Sequence, residues 1–252
     1  KDKALLSKSY LSRGQSDILH YEGENNGKIK LDLMISDLNK SLEINPSNHA
    51  AYLLRASYTS GFFSQNQNIS FNDVLEKDKG LIDLNSAIND LETLLKAEDN
   101  AEGYILLIRC YSRNNDLNYL ESTAIKAVSK FESDSKLWSC IGDEWKRNKE
   151  YKKAVVSYKK ASALNSKSAW YWRQLGESYF HLQDFKNAID AFNHSIEADP
   201  DNELYCYWLS KVYLADNQLG LAYSEINKAI ASYSGVKDYF IQYAKVCGEM
   251  YK

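Results

Sequence analysis

Four histidines (His20, His49, His181 and His194) and four cysteines (Cys110, Cys140, Cys206 and Cys247) are the residues of this 252-residue chain that could move a proton, attack an electrophile or ligate a metal. Their spacing supports none of these. The cysteines lie 30, 66 and 41 residues apart, with no CxxC pair and no histidine at ligand spacing, so no metal site is expected. No Ser or Cys sits in a nucleophile elbow, and no HExxH, GxGxxG or P-loop occurs. The carboxylates are scattered as they are on solvated helix faces. Asn68-Ile-Ser and Asn193-His-Ser fit the glycosylation sequon, but both are expected by chance in an Asn- and Ser-rich chain, and Asn193 falls inside a regular helical stretch. The expectation is a protein without catalytic residues or cofactor. The thiols stand where small apolar helix residues belong and read as buried and inert, which favours a reducing compartment and a cytoplasmic location.

The chemistry left is that of recognition. A formal charge of −3 supplies no basic excess for phosphates, so no nucleic acid is expected. No apolar run reaches the roughly 20 residues of a membrane span. The chain opens on Lys1, which points to a trimmed N-terminus and leaves the compartment unassigned by any leader.

Two prolines and eleven glycines predict long helices rather than many turns. A 34-residue period organises them. Tyr104, Trp138, Trp172, Cys206 and Phe240 are each 34 apart. So are Leu107, Ile141, Leu175, Leu209 and Tyr243, and so are Tyr111, Trp145, Tyr179, Tyr213 and Cys247. A second set follows with Ala154, Ala188 and Ala222, then Tyr158, Phe192 and Ile226, then Ala161, Ser195 and Ala229. Spacings of 3, 4 and 7 put each set on one helix face, so each copy is two amphipathic helices. Polar residues join them, such as Asn114-Asn115-Asp116 and Asn148-Lys149-Glu150. Small residues at Gly142, Gly176 and the Ala154 column let backbones approach while the rings fill the core.

Trp172, Leu175, Gly176, Tyr179, Ala188, Phe192, Ser195 and Pro200 resemble the signature of the tetratricopeptide repeat. The resemblance implies an all-α, right-handed α-solenoid of about six helix-turn-helix repeats with a C-terminal capping helix. Residues 101–236 hold four regular copies, the first of which departs from the pattern at Leu120 and Ala124. Residues 237–252 match a first helix only and are expected to cap the array through Phe240, Tyr243, Ala244 and Cys247. Residues 1–100 read as two irregular repeats, with first helices near 3–13 and 48–63 and insertions over 14–28 and 64–79.

In the family the first helices line a concave groove. By register this implies Arg109 and Arg113, then Asp143, Lys146 and Arg147, then Trp170, Arg173, Glu177, Phe180 and His181, then Tyr207 and Lys211. Arg109 and Arg113 are like charges at i,i+4, an unfavourable pairing that invites a reason, whereas Arg173 with Glu177 and Asp143 with Arg147 have ion-pair spacing. Trp170 is surplus to the packing column at Trp172. The family's carboxylate clamp is absent, since Ile105, Arg109, Cys140, Trp170 and Gln174 stand at its positions. The expected function is a non-enzymatic interaction scaffold that binds a protein or peptide, partly acidic with apolar anchors, in this groove. Alternatives are a regulatory or targeting fragment of a larger chain, an RNA-binding helical array, and self-association through the last helix.

Overall fold

The computed structural model describes residues 2–16, 31–62, 76–233 and 235–251. Among these the chain forms thirteen α-helices, one 3-10 turn (Glu76–Leu81) and no strand. The helices are α1 (Asp2–Ser16), α2 (Leu31–Ile44), α3 (His49–Thr59), α4 (Leu84–Ala97), α5 (Ala101–Arg113), α6 (Leu117–Lys130), α7 (Ser135–Arg147), α8 (Tyr151–Leu164), α9 (Ala169–His181), α10 (Phe185–Ala198), α11 (Leu204–Ala215), α12 (Leu219–Ser232) and α13 (Lys237–Met250). They make six helical pairs and a single last helix. α3 stops at Thr59, short of the expected 63, where Gly61 turns the chain with a φ of 70°. Most of both insertions, together with His20 and Asn68, lies outside the described residues.

The chain divides into two compact units, residues 1–130 and 131–252. In the first, Leu31, Met34, Leu38 and Leu42 of α2 pack on Ala51, Leu54 and Tyr58 of α3, with Leu11 of α1 against them. Two ion pairs tie this apolar core at its flanks. The Arg55 guanidinium donates to both Asp90 oxygens at 2.8 and 2.6 Å, and Arg13 donates to both Asp37 oxygens.

In the second unit the Ala154, Tyr158 and Ala161 columns and their 34-residue equivalents are almost entirely removed from solvent. The glycine column shows why. A Cβ on Gly142 would lie 2.7 Å from the Tyr158 ring, and one on Gly176 would lie 2.9 Å from that of Phe192, so in these two pairs the helices approach closer than any side chain allows. Within a pair, the turn is set by one left-handed residue, at Asn115 (φ 61°), Lys149 (63°), Gln183 (59°) and Asn217 (59°), again at the 34-residue period. At each of the four turns the next N–H reaches back five residues, as in Glu150 N to Trp145 O at 2.9 Å and Asp184 N to Tyr179 O at 3.0 Å. This is the Schellman closure that satisfies orphan carbonyls at a helix end. The Trp138 and Trp172 indoles donate to the backbone oxygens of Glu132 and Ser166, at 2.8 and 2.9 Å, pinning the chain where it enters each pair.

The first helices bury a further face. Leu137, Tyr171, Tyr205 and Tyr239 form a 34-residue column of their own, as do Glu144, Ser178, Val212 and Val246, and every one is buried. In α9, α11 and α13 this face meets the preceding pair. Tyr171 reaches Ser135 of α7, and Gln242 of α13 donates to Ser210 of α11. The expected capping face is corrected accordingly. α13 buries Tyr239, Gln242 and Val246 against the pair before it, and half-buried Tyr243 packs there on Ile226 and Ala229 as expected, while Cys247 is half-buried and Phe240 and Ala244 are exposed. The Phe240 column packs against a pair's own second helix, and none follows α13 among the described residues.

Candidate functional site

The residues implied for a groove fall in both units, and each group is built by its own unit. In the first, Arg109 is half-buried and Arg113 exposed, one helical turn apart on α5. Both guanidiniums stack on Phe62, at 5.8 and 4.8 Å from its ring centre, which provides a local reason for two like charges at i,i+4.

In the second unit the first helices α7, α9 and α11 bring charge and rings together. Lys146 of α7 donates to Glu177 of α9 at 2.8 Å and also to Gln174, while Arg173 donates to the other Glu177 oxygen at 3.1 Å. Two cations therefore share one buried carboxylate. Arg147 pairs with Glu144 at 2.9 Å rather than with Asp143, whose carboxylate accepts the Tyr158 hydroxyl at 2.6 Å. Desolvation and that carboxylate push the Tyr158 hydroxyl far above its ordinary range. Trp170 is 50% exposed, with the Arg173 guanidinium 4.3 Å from its ring. His181 stacks on Tyr151 with ring centres 4.4 Å apart, and its pKa is lowered by burial, then by the nearby Lys146.

Lys211 of α11 is half-buried among rings. Its ammonium lies 3.9 Å from the Trp208 ring, 5.4 Å from Tyr207 and 5.6 Å from Phe180 of α9. Trp208 itself lies between Phe192, stacked at 5.9 Å, and Phe180, edge-on at 6.0 Å. Desolvation lowers the Lys211 pKa, Glu177 opposes it, and Lys245 adds to the lowering. Position 208 is one that register alone does not assign to the groove. Tyr207 extends the ring surface to Tyr239 of α13 at 5.1 Å.

No described histidine joins a nucleophile in this arrangement. Groups of three or more His, Cys, Asp or Glu able to hold a metal are absent among the described residues. None of the four cysteines forms a disulfide; Cys110 and Cys140 are buried as expected and Cys206 and Cys247 only half-buried. Burial, followed by Glu225, pushes the Cys206 thiol up to about 11, which keeps it protonated and unreactive. No described helix is long and apolar enough to cross a membrane.

Comparison with known proteins agrees with the register. The family profile of the tetratricopeptide repeat matches residues 169–202, which are α9, α10 and the join to α11. A curated relative, the TPR repeat-containing protein MJ1428 of Methanocaldococcus jannaschii, is 28% identical over 79 residues, 31% of this chain and 14% of its own length. The chain thus spans about a seventh of that relative. Among solved structures, the C-terminal part of a TPR repeat-containing protein from Cytophaga hutchinsonii superposes with a TM-score of 0.67 at 16% identity, over 92% of this chain and 83% of that one. YrrB, described as a TPR protein with an unusual peptide-binding site, gives 0.58 at 16% identity, over 81% and 95%. These likenesses show the fold, an array of helical pairs. With one repeat matched by the family profile and the same 34-residue register carried through the pairs around it, residues 169–202 match a tetratricopeptide repeat and the chain is similar to proteins of that family.

Proposed function

We propose that the chain is a non-enzymatic scaffold whose first helices, within residues 131–252, receive an extended or helical segment of a partner protein. One observation carries this reading. The first helices of successive pairs touch one another through polar and aromatic side chains, Lys146 to Glu177 and Lys211 to Phe180, so α7, α9 and α11 share one surface instead of three. Trp170 adds an indole whose exposed half is available to a partner, the kind of anchor that dominates interface energies. A segment suited to this surface carries carboxylates and one or two large apolar side chains, with charge steering association and the anchors setting residence time. YrrB, described as a TPR protein with an unusual peptide-binding site, supports a peptide as the class of ligand. Residues 237–252 serve as the cap of the array, and four cysteines without a disulfide suit a cytoplasmic setting.

The test is a binding measurement with an identified partner. Trp170→Ala should speed dissociation at least about tenfold, since a central indole contributes about 2 kcal/mol or more when truncated. Lys159→Glu, on the second helix α8, should leave binding unchanged. If Lys159→Glu abolishes binding and Trp170→Ala does not, the partner uses the second helices.

A further inference from the structure

This inference rests on the reading of the first helices as the recognition surface and assigns the residue in it that chooses the ligand's charge. Most of the basic side chains implied for the groove are already occupied within the molecule. Arg109 and Arg113 stack on Phe62, Arg147 bonds Glu144, and Lys146 and Arg173 divide Glu177 between them. Lys211 differs. It is half-buried, and among the described residues it makes no hydrogen bond or ion pair, only ring contacts. A desolvated cation without a carboxylate is costly, and the three rings meet only part of its need, because a ring face offers a quadrupole rather than a charge.

The surroundings do not supply the missing anion. Glu177 is the nearest carboxylate on α9, and Lys146 and Arg173 already bond it. α13 contributes one further charge of each sign, Asp238 and Lys245, at distances where they act on Lys211 without bonding it. Counting Lys146, Arg173, Lys211 and Lys245 against Glu177 and Asp238 leaves the patch with two more cations than anions.

We infer that Lys211, walled by Phe180, Tyr207 and Trp208, is a subsite for one partner carboxylate carried next to an aromatic or large aliphatic side chain. The carboxylate bonds the ammonium on its open side, and the apolar neighbour lies on the rings. Arginine at this position would not replace lysine, because the planar guanidinium would stack flat on Trp208 instead of presenting a point charge.

The carboxylate can come from a chain end or from an acidic side chain, and two probes separate these sources. N-acetyl-phenylalanine offers a terminal carboxylate, and acetyl-Phe-Glu-amide a side-chain one. Acetyl-Phe-amide and acetyl-Phe-Gln-amide are their neutral counterparts. Binding is followed by two-dimensional NMR through the Trp208 indole N–H, assigned by a Trp208→Phe variant. At least one acid should perturb this signal saturably, and bind about tenfold more tightly than its neutral counterpart, equivalent to about 1.4 kcal/mol. In Lys211→Met, which keeps length and ring contact, that preference should vanish while circular dichroism and melting stay as in wild type. Lys159→Met, on the second helix α8, should retain it. Equal binding of acid and amide, no saturable perturbation by either acid, or an acid preference that survives Lys211→Met overturns the inference. The broader reading fails separately, through an identified partner indifferent to Trp170→Ala.

Discussion

Replacing Gly176 by alanine tests whether the 34-residue register sets the close approach of paired helices. The new Cβ would meet Cζ, Cε1 and Cε2 of Phe192 at 2.9, 3.0 and 3.0 Å, about 0.5 Å inside ordinary van der Waals contact. The ring has little room to retreat, because Trp208 is stacked on it at 5.9 Å and Phe192 is fully buried. Overpacking of this kind costs about 1–3 kcal/mol, and the better helix propensity of alanine offsets about 1 kcal/mol of it. The expected net loss is about 1 kcal/mol, a drop in urea midpoint of roughly 0.5 M for an m-value near 2 kcal/mol/M. Gly248→Ala is the matched control, since a Cβ there meets nothing within 4 Å and the substitution should stabilise by up to about 1 kcal/mol. Urea titration followed by circular dichroism measures both. Adding Phe192→Leu to Gly176→Ala should relieve the clash and give a favourable coupling of at least about 0.5 kcal/mol in the double-mutant cycle. If Gly176→Ala stabilises the protein as much as Gly248→Ala does, the helices are not in the contact described.

Gln183→Gly should raise stability by about 0.5–1 kcal/mol, because the left-handed φ of 59° strains a side chain by about 1–2 kcal/mol and glycine's added unfolded-state entropy returns only part of that; the same titration reads it. Arg55→Met leaves the buried Asp90 carboxylate without its bidentate partner and should destabilise by about 3 kcal/mol, whereas Arg55→Met with Asp90→Leu should recover much of the loss. Deleting residues 237–252 uncovers Ile226 and Ala229, which pack on Tyr239, and should yield a protein that aggregates in light scattering at concentrations where the full chain stays monodisperse.

The sequence revealed the helical pairs because large and small residues recur at a fixed period, and periodicity survives any local detail. Tyr104, Leu175 and Phe192 are buried where their columns put them. It also showed the turns, though not that Lys149 and Gln183 take the left-handed conformation, since only their place in the register, and not their type, demands it. The second buried face of the first helices was legible in the Leu137, Tyr171, Tyr205 and Tyr239 column, but the stronger aromatic signal of the Trp172 column put Phe240 and Ala244 of α13, and not Tyr239 and Val246, on its buried face. The stacking of Arg109 and Arg113 on Phe62 joins residues 47 and 51 positions apart with no shared period, so spacing carried no trace of it. Likewise the Trp208 wall behind Lys211 depends on rings from α9, α10 and α11 meeting in space.

The central claim, that the first helices of residues 131–252 receive the partner, is tested most directly by photo-crosslinking from inside that surface. A benzophenone amino acid placed at position 170 and, separately, at the exposed Val156 of α8 samples the two faces at matched reactivity. Irradiation with an identified partner, followed by mass spectrometry of the joined peptides, should give an adduct from position 170 to one acidic, ring-containing or aliphatic partner segment and none from position 156. Adducts from position 156 alone would place the partner on the second helices and contradict the account.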